Sequence, residues 1–430
     1  MTVRDASSEI TPDVAHRPGD GHGFAISAGM RILLAGVLGL VLLSVTRVIS
    51  GADDITSGGA LGGTINAAMP IMLAGLGGLW AERAGVVNIG LEGQMILGTW
   101  FGAEFAYRTH SAWMLLVGGL IGGLIGGVLH AIATVGFGVD QIVSGVAINI
   151  LAPGVTKYLA GIFFTTPKAL QDGGGPTQSP SVATFGALKW TAAAHQLAKI
   201  EAHHWFFVSD VAGLLDGICT SLSVFTIIAL LLIPLTWFVL WRTAFGLRLR
   251  SCGENPDAAE SLGVKVYTMK AAAVLISGLL AGLAGAFLVN YTGIYRENQT
   301  GGRGYIGLAA MIFGNWRPGG LAAGSALFGY TDALQQRQGS VSVHALLIFL
   351  GIVLILVGAY AFWRGRRVAA VVSFAAGLLV LVWYASTDSI PSQLVTYTPQ
   401  IITLLVLALA SQRLRMPAAD GLPWRRGRAR

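Results

Sequence analysis

Charge is scarce in this chain: Asp, Glu, Lys and Arg together make up 11% of its 430 residues, where soluble domains carry about a quarter. Set against 54% hydrophobic residues and a mean hydropathy of +0.66, that deficit excludes an ordinary water-soluble globule and leaves a polytopic membrane protein. Cysteine is nearly missing, with only Cys219 and Cys252, so no disulfide framework or metal site is implied. The short motifs of hydrolytic chemistry are also missing: there is no GxxxxGK[ST] phosphate loop, no HExxH and no GxSxG elbow. The chain therefore has no usual means of hydrolysing ATP, reads as a non-enzyme and implies no cofactor. Its excess of 28 Lys and Arg over 21 Asp and Glu falls in loops, so it is read as membrane topology and not as a nucleic-acid surface.

What the chain has in abundance is glycine, 59 in all. Gly118, Gly119, Gly122, Gly123, Gly126 and Gly127 form small-residue ridges of the kind that lets membrane helices approach closely. Apolar runs give about eleven candidate spans, predicting an all-α transmembrane bundle of about 10–11 spans. They fall at 32–46, 61–80, from about 86 onward, 112–137, 141–164, 222–241 and 271–291, then as two short pieces at 305–313 and 321–334, and finally at 344–363, 368–384 and 392–410. Pro70 and Pro153 are expected to break the second and fifth spans, and the two short pieces to form a re-entrant element facing protein or water.

Residues 1–30, without an apolar core, read as a disordered cytoplasmic tail ahead of a permease-like membrane domain over 31–411. Within it, 165–217 reads as a long external loop, and its His195, His203 and His204 match no tight metal-ligand spacing. The basic loop 242–270, with Arg242, Arg248, Arg250, Lys265 and Lys270, is placed inside by its charge, as is the basic tail 412–430. Both termini are thus expected in the cytoplasm of a multi-pass protein of the cell membrane.

The stretch 82–94, reading ERAGVVNIGLEGQ, brings Asn88, Glu92 and three glycines between two apolar segments. Two readings of Glu92 stay open. A charge at lipid depth costs about 2.5–3.5 kcal/mol on insertion and so marks function; alternatively, Glu92 sits at a helix end facing headgroup water.

The surrounding segment 70–101, PIMLAGLGGLWAERAGVVNIGLEGQMILGTWF, resembles permease subunits of ATP-binding-cassette importers of the nucleoside and simple-sugar branch. The resemblance continues through 139–151, 246–270, 282–320 and 398–423. It implies a broken-helix permease fold of the type II importer kind, a partner ATPase, a second permease subunit and an extracytoplasmic binding lipoprotein, all within membrane lipid. The expected cargo is a nucleoside, with a simple sugar as the alternative and proton-coupled secondary transport further behind. The hairpin at 343–384 departs from the family pattern and reads as an insertion.

Two sets of residues follow. In the loop 245–269, Asn255 and Pro256 start a short helix that Gly263 stops. It resembles the family's coupling helix, so Gly253, Glu254, Asn255, Pro256, Ala258, Ala259 and Gly263 are assigned to contact with the ATPase. Asn66, Asn88, Glu92, Gln141, Asn149, Asn298, Thr300, Arg303 and Tyr305 are assigned to the solute pathway. Their amides, hydroxyls and aromatic ring suit a neutral polyhydroxylated or heterocyclic solute. Each is equally open to a reading as polar glue between helices.

Overall fold

A computed structural model describes residues 28–188, 190–337, 339–391, 394–395 and 414–425. Most of the N-terminal tail and nearly all of the expected last span at 392–410 lie outside them. Among the described residues the protein is built from helices, with only isolated bridges and no named strand. Seven helices among the described residues are long and apolar enough to cross a membrane. They are α2 (Gly58–Arg83), α4 (Ala112–Ala131, continued by a π turn, Ile132–Gly136), α5 (Gln141–Phe163), α9 (Val224–Arg242), α12 (Val266–Thr292), α15 (Gly339–Trp363) and α16 (Arg367–Ser386). Between them run α1 (Ala28–Ser50), α3 (Leu91–Thr109), α6 (Pro167–Gln171), α7 (Thr191–Glu201), α8 (Val208–Ser221), α10 (Ala244–Glu254), α11 (Pro256–Ser261), α13 (Arg303–Phe313) and α14 (Pro318–Gln336). The stretch 165–217 is thus no plain loop: it holds α6, α7 and most of α8, and α8 packs on α2.

α2 and α12 are the most buried spans and form the axis of the bundle, with α3 and α4 against α12 and α14 against α2. Glycines set the spacing there. A methyl added at Gly123 would overlap the Gly278 carbonyl, and one at Gly282 would overlap the Gly119 carbonyl, so backbones of α4 and α12 touch directly. Without a hydrophobic force between helices in lipid, such close packing is a main source of cohesion. Around it sit Phe225, Phe287, Tyr295 and Phe164, all fully buried.

Two expected breaks are corrected. Pro70 and Pro153 lie inside the continuous helices α2 and α5. A proline removes a single intrahelical bond, and in a membrane span the neighbouring helices hold the chain in place around it. The real interruption is at 84–90, between α2 and α3. Of the two short pieces only α13 is short: its 11 residues reach about 16 Å, roughly half the hydrocarbon core. α14 has 19 residues and packs along α2. The departing hairpin at 343–384 corresponds to α15 and α16, which pack on each other, while α16 is the least buried of the seven spans.

Candidate functional site

The non-helical segment 84–90 runs through the interior, where every backbone N–H and C=O left unpaired costs free energy. Side chains from three helices answer that demand. Gln141 Oε1 accepts from the Val87 N–H at 2.6 Å, and His130 Nε2 meets the Val87 carbonyl at 3.1 Å. A carbonyl can only accept, so Nε2 carries the proton and Nδ1 faces the Ser144 hydroxyl at 2.9 Å. The Asn149 amide bridges both sides of the joint, donating to the Ile89 carbonyl (2.9 Å) and accepting from the Gly93 N–H (2.7 Å). Lys270 Nζ donates to the Gly85 carbonyl at 3.1 Å. The Asn88 side chain, fully buried, donates to Gln94 Oε1 (2.9 Å) and Ser277 Oγ (2.8 Å).

Glu92, in the first turn of α3, takes the other half of the break. Its two carboxylate oxygens accept from the N–H groups of Gly302 (2.9 Å) and Gly304 (2.7 Å), at the start of α13. The carboxylate therefore supplies the negative charge that a helix N-terminus favours and pairs two otherwise orphaned donors. Local sequence makes the approach possible. Gly302 holds φ +81°, and a methyl on Gly304 would come within 2.7 Å of the Glu92 backbone. Glu92 is buried and faces protein, with both oxygens held by α13.

The nine pathway residues divide accordingly. Asn88, Glu92, Gln141 and Asn149 are brought together around 84–93, where they hold backbone in place. Arg303 pairs with Asp332 of α14 at 2.6 Å, and Thr300 is buried. Asn298 adopts φ +59° in the turn before α13. Asn66 stays apart and donates to the Gly62 carbonyl of its own helix at 3.3 Å. Two of the nine are exposed, Asn298 in that turn and Tyr305, the latter at 47% with its hydroxyl beside Asn149. Next to it α5 exposes Ile142, Val143, Val146, Ile150 and Leu151 along one face. Lys157 of α5 is 64% exposed and paired with Glu297 at 3.2 Å. His130, Ser144, Gln94 and Ser277 escaped sequence reasoning, and Lys270 was read only as part of the basic loop. The only signal was a lone polar group in or beside an apolar span, which does not say what it will meet.

The expected short helix after Asn255 is present as α11. Asn255 Oδ1 accepts from the Ala258 N–H at 3.0 Å, Pro256 occupies the first turn, and Gly263 takes φ +83°. Pro256 and Ala259 are buried, whereas Ala258 and Leu262 are exposed, Leu262 at 86%. Gly253 packs on the Arg83 carbonyl, and Glu254 is reached by the Ala418 N–H.

This end of the bundle also receives the segment 414–425, whose Asp420 is buried against the Glu82 carboxyl, with Lys270 and Arg83 as the nearby cations and the Gly421 N–H adjacent. Glu82 itself accepts from Trp316 Nε1 at 2.5 Å. Burial pushes the Asp420 carboxyl up to about 7. A raised acid takes up a proton on seating, so seating is favoured below the free carboxylate range and loses strength as pH rises from about 4 to about 7. Asp420→Asn is expected to weaken this dependence between about pH 4 and 7, where wild-type protection declines. Hydrogen exchange of this segment, corrected for intrinsic rates, measures it, and an unchanged decline in the variant would assign the dependence elsewhere.

Residues 60–358 match the family model described as the permease component of the branched-chain amino acid transport system. The chain belongs to that permease family. Among curated relatives, the permease is 35% identical to the guanosine ABC transporter permease protein NupQ of Bacillus subtilis over 281 residues, 63% of this chain and 80% of the relative. It is 31% identical to the nucleoside ABC transporter permease protein NupC of Lactococcus lactis over 361 residues, 82% of this chain and 92% of the relative. It is 32% identical to the putative glucose ABC transporter permease protein TsgC13 of Haloferax volcanii over 287 residues, 66% and 79% of the two chains. No solved structure matches. The permease is thus a multi-pass membrane subunit of an ABC transport system.

Proposed function

We propose that this permease forms one half of the translocation pathway of an ATP-driven nucleoside importer. The observation that carries the reading is Tyr305, an exposed aromatic ring at the head of a half-length helix. An aromatic face suits stacking of a flat heterocycle such as a nucleobase. Two relatives named as guanosine and nucleoside permeases support that substrate class. The glucose relative keeps simple sugars as the second reading. Both Glu92 oxygens are held by α13 N–H groups, an arrangement that suits a structural cap better than a coupling site.

The unpartnered face of α5 beside Tyr305 would meet the second permease, and the solute would pass between the two. α11 would receive the ATPase, which supplies the hydrolysis for which this chain has no motif. By the positive-inside rule the basic residues around α10 and α11 put that end, and both termini, in the cytoplasm. The opposite end would receive the extracytoplasmic binding lipoprotein. Uptake into liposomes carrying the reconstituted importer tests the substrate. Guanosine is expected to accumulate with ATP, unaffected by excess glucose; accumulation of glucose with none of guanosine would replace this reading by the sugar one.

A further inference from the structure

α11 is too small to hold a partner by itself. A stable interface takes about 800 Å² and roughly 20–30 residues from each side, whereas α11 has six residues. Its outward positions are Asp257, Ala258 and Ser261, followed by Leu262 and Gly263. The remaining area must come from whatever chain lies beside it at the same end of the bundle.

Segment 414–425 lies there. The Ala419 N–H donates to the Gly253 carbonyl at 2.8 Å, and Trp424 Nε1 donates to Asp257 Oδ1 at 2.6 Å. The Trp424 ring packs on Tyr267 of α12, with centroids 4.9 Å apart. Further along, the Arg415 N–H donates to Asn315 Oδ1 at 2.7 Å, beyond the end of α13. These contacts brace the side of α11 that carries Asp257 and leave Ala258 and Leu262 open. The segment also adds exposed apolar side chains of its own, Met416 at 57% and Leu422 at 39%. Exposed Arg415 and Arg425 lie on the segment, with exposed Arg248 on the adjoining α10 and Lys265 between α11 and α12.

We propose that the ATPase docks on a composite platform made of α11 and the C-terminal segment 414–425, an apolar peg and strap with a basic rim that fits an acidic-edged groove. This rests on the proposed ATP-driven reading. The segment braces α11 so that Leu262 is presented at a fixed angle, and Met416 and Leu422 extend the contact to the area that a peg alone does not reach. Asp257, used by the Trp424 indole, is not available to the partner.

The test uses the full-length permease in lipid nanodiscs and the ATPase subunit purified from the same transport system. Met416→Asp and Leu422→Asp alter exposed side chains and leave the bundle untouched, so they are expected to insert normally and to weaken ATPase binding by tenfold or more. Arg415→Glu with Arg425→Glu is expected to weaken binding further at low salt than at high salt. Removal of 414–430 is expected to do at least as much. Leu262→Asp serves as the reference for the peg. If Leu262→Asp abolishes binding while every variant in 414–425 binds as wild type, the composite platform is wrong and the ATP-driven reading stands. If Leu262→Asp and the strap variants all bind as wild type, both fail. Tighter binding after removal of 414–430 would make the segment a cover for α11 and would overturn the proposal.

Discussion

Glu92→Ala is expected to abolish uptake in protein that still reaches the membrane. The carboxylate joins the start of α3 to the start of α13, through the Gly302 and Gly304 N–H groups. Removing it leaves two donors without their acceptor at the head of a half-length helix, the Gly304 N–H buried and the Gly302 N–H half-buried. Each unpaired donor costs about 1–3 kcal/mol, so the pair costs about 2–6 kcal/mol, against the roughly 5–15 kcal/mol that holds a typical domain together. The loss falls on one joint and not on the whole bundle, because α2, α4 and α12 pack through glycine contacts that do not involve Glu92. α13 should therefore loosen at its N-terminal end, next to Tyr305. Glu92→Gln keeps one acceptor oxygen and turns an amide NH₂ toward a second N–H, so it should lie between wild type and alanine. Uptake measured with membrane levels and hydrogen exchange of residues 300–313 checks this. Normal uptake by Glu92→Ala would mean that the cap does not matter to the pathway.

Ala258→Arg is expected to eliminate both ATPase co-purification and uptake while the binding lipoprotein still associates. The position is exposed and lies in a helix whose start is fixed by Asn255 and Pro256, so arginine there adds no strain to the free permease. Its effect appears only on docking. A long charged side chain forced into a close interface without a partner costs about 3–5 kcal/mol, more than the roughly 1–3 kcal/mol by which coupled sites communicate. A secondary transporter would not notice the change, because there the same loop is a solvated connector. Wild-type uptake by Ala258→Arg, at confirmed membrane levels, would end the ATP-driven reading.

Helix existence was legible along the chain because lipid imposes one rule: a run of some twenty apolar residues must satisfy its own backbone and so becomes a helix. The cap of α11 was legible for a related reason, since Asn255, Pro256 and Gly263 act on their own backbone within a few residues. Local chemistry misled where it stood without its neighbours. Pro70 and Pro153 were expected to break helices, and the bundle holds both helices whole.

The polar residues of the pathway show the division most clearly. Sequence alone determined that Asn88, Glu92, Gln141 and Asn149 stand in or beside apolar segments, where an unpaired polar group is costly and must find a partner. Which partner each finds was decided only by the tertiary structure. Gln141 serves Val87 from 54 positions away and Glu92 caps a helix 210 residues later. Lys270 reaches Gly85 across 185 residues. The physical reason is that burial demands satisfaction but does not specify distance along the chain. Where helix packing brings a side chain against an irregular segment, it holds that backbone; where packing leaves one in the open, as at Tyr305, it is free to meet a solute.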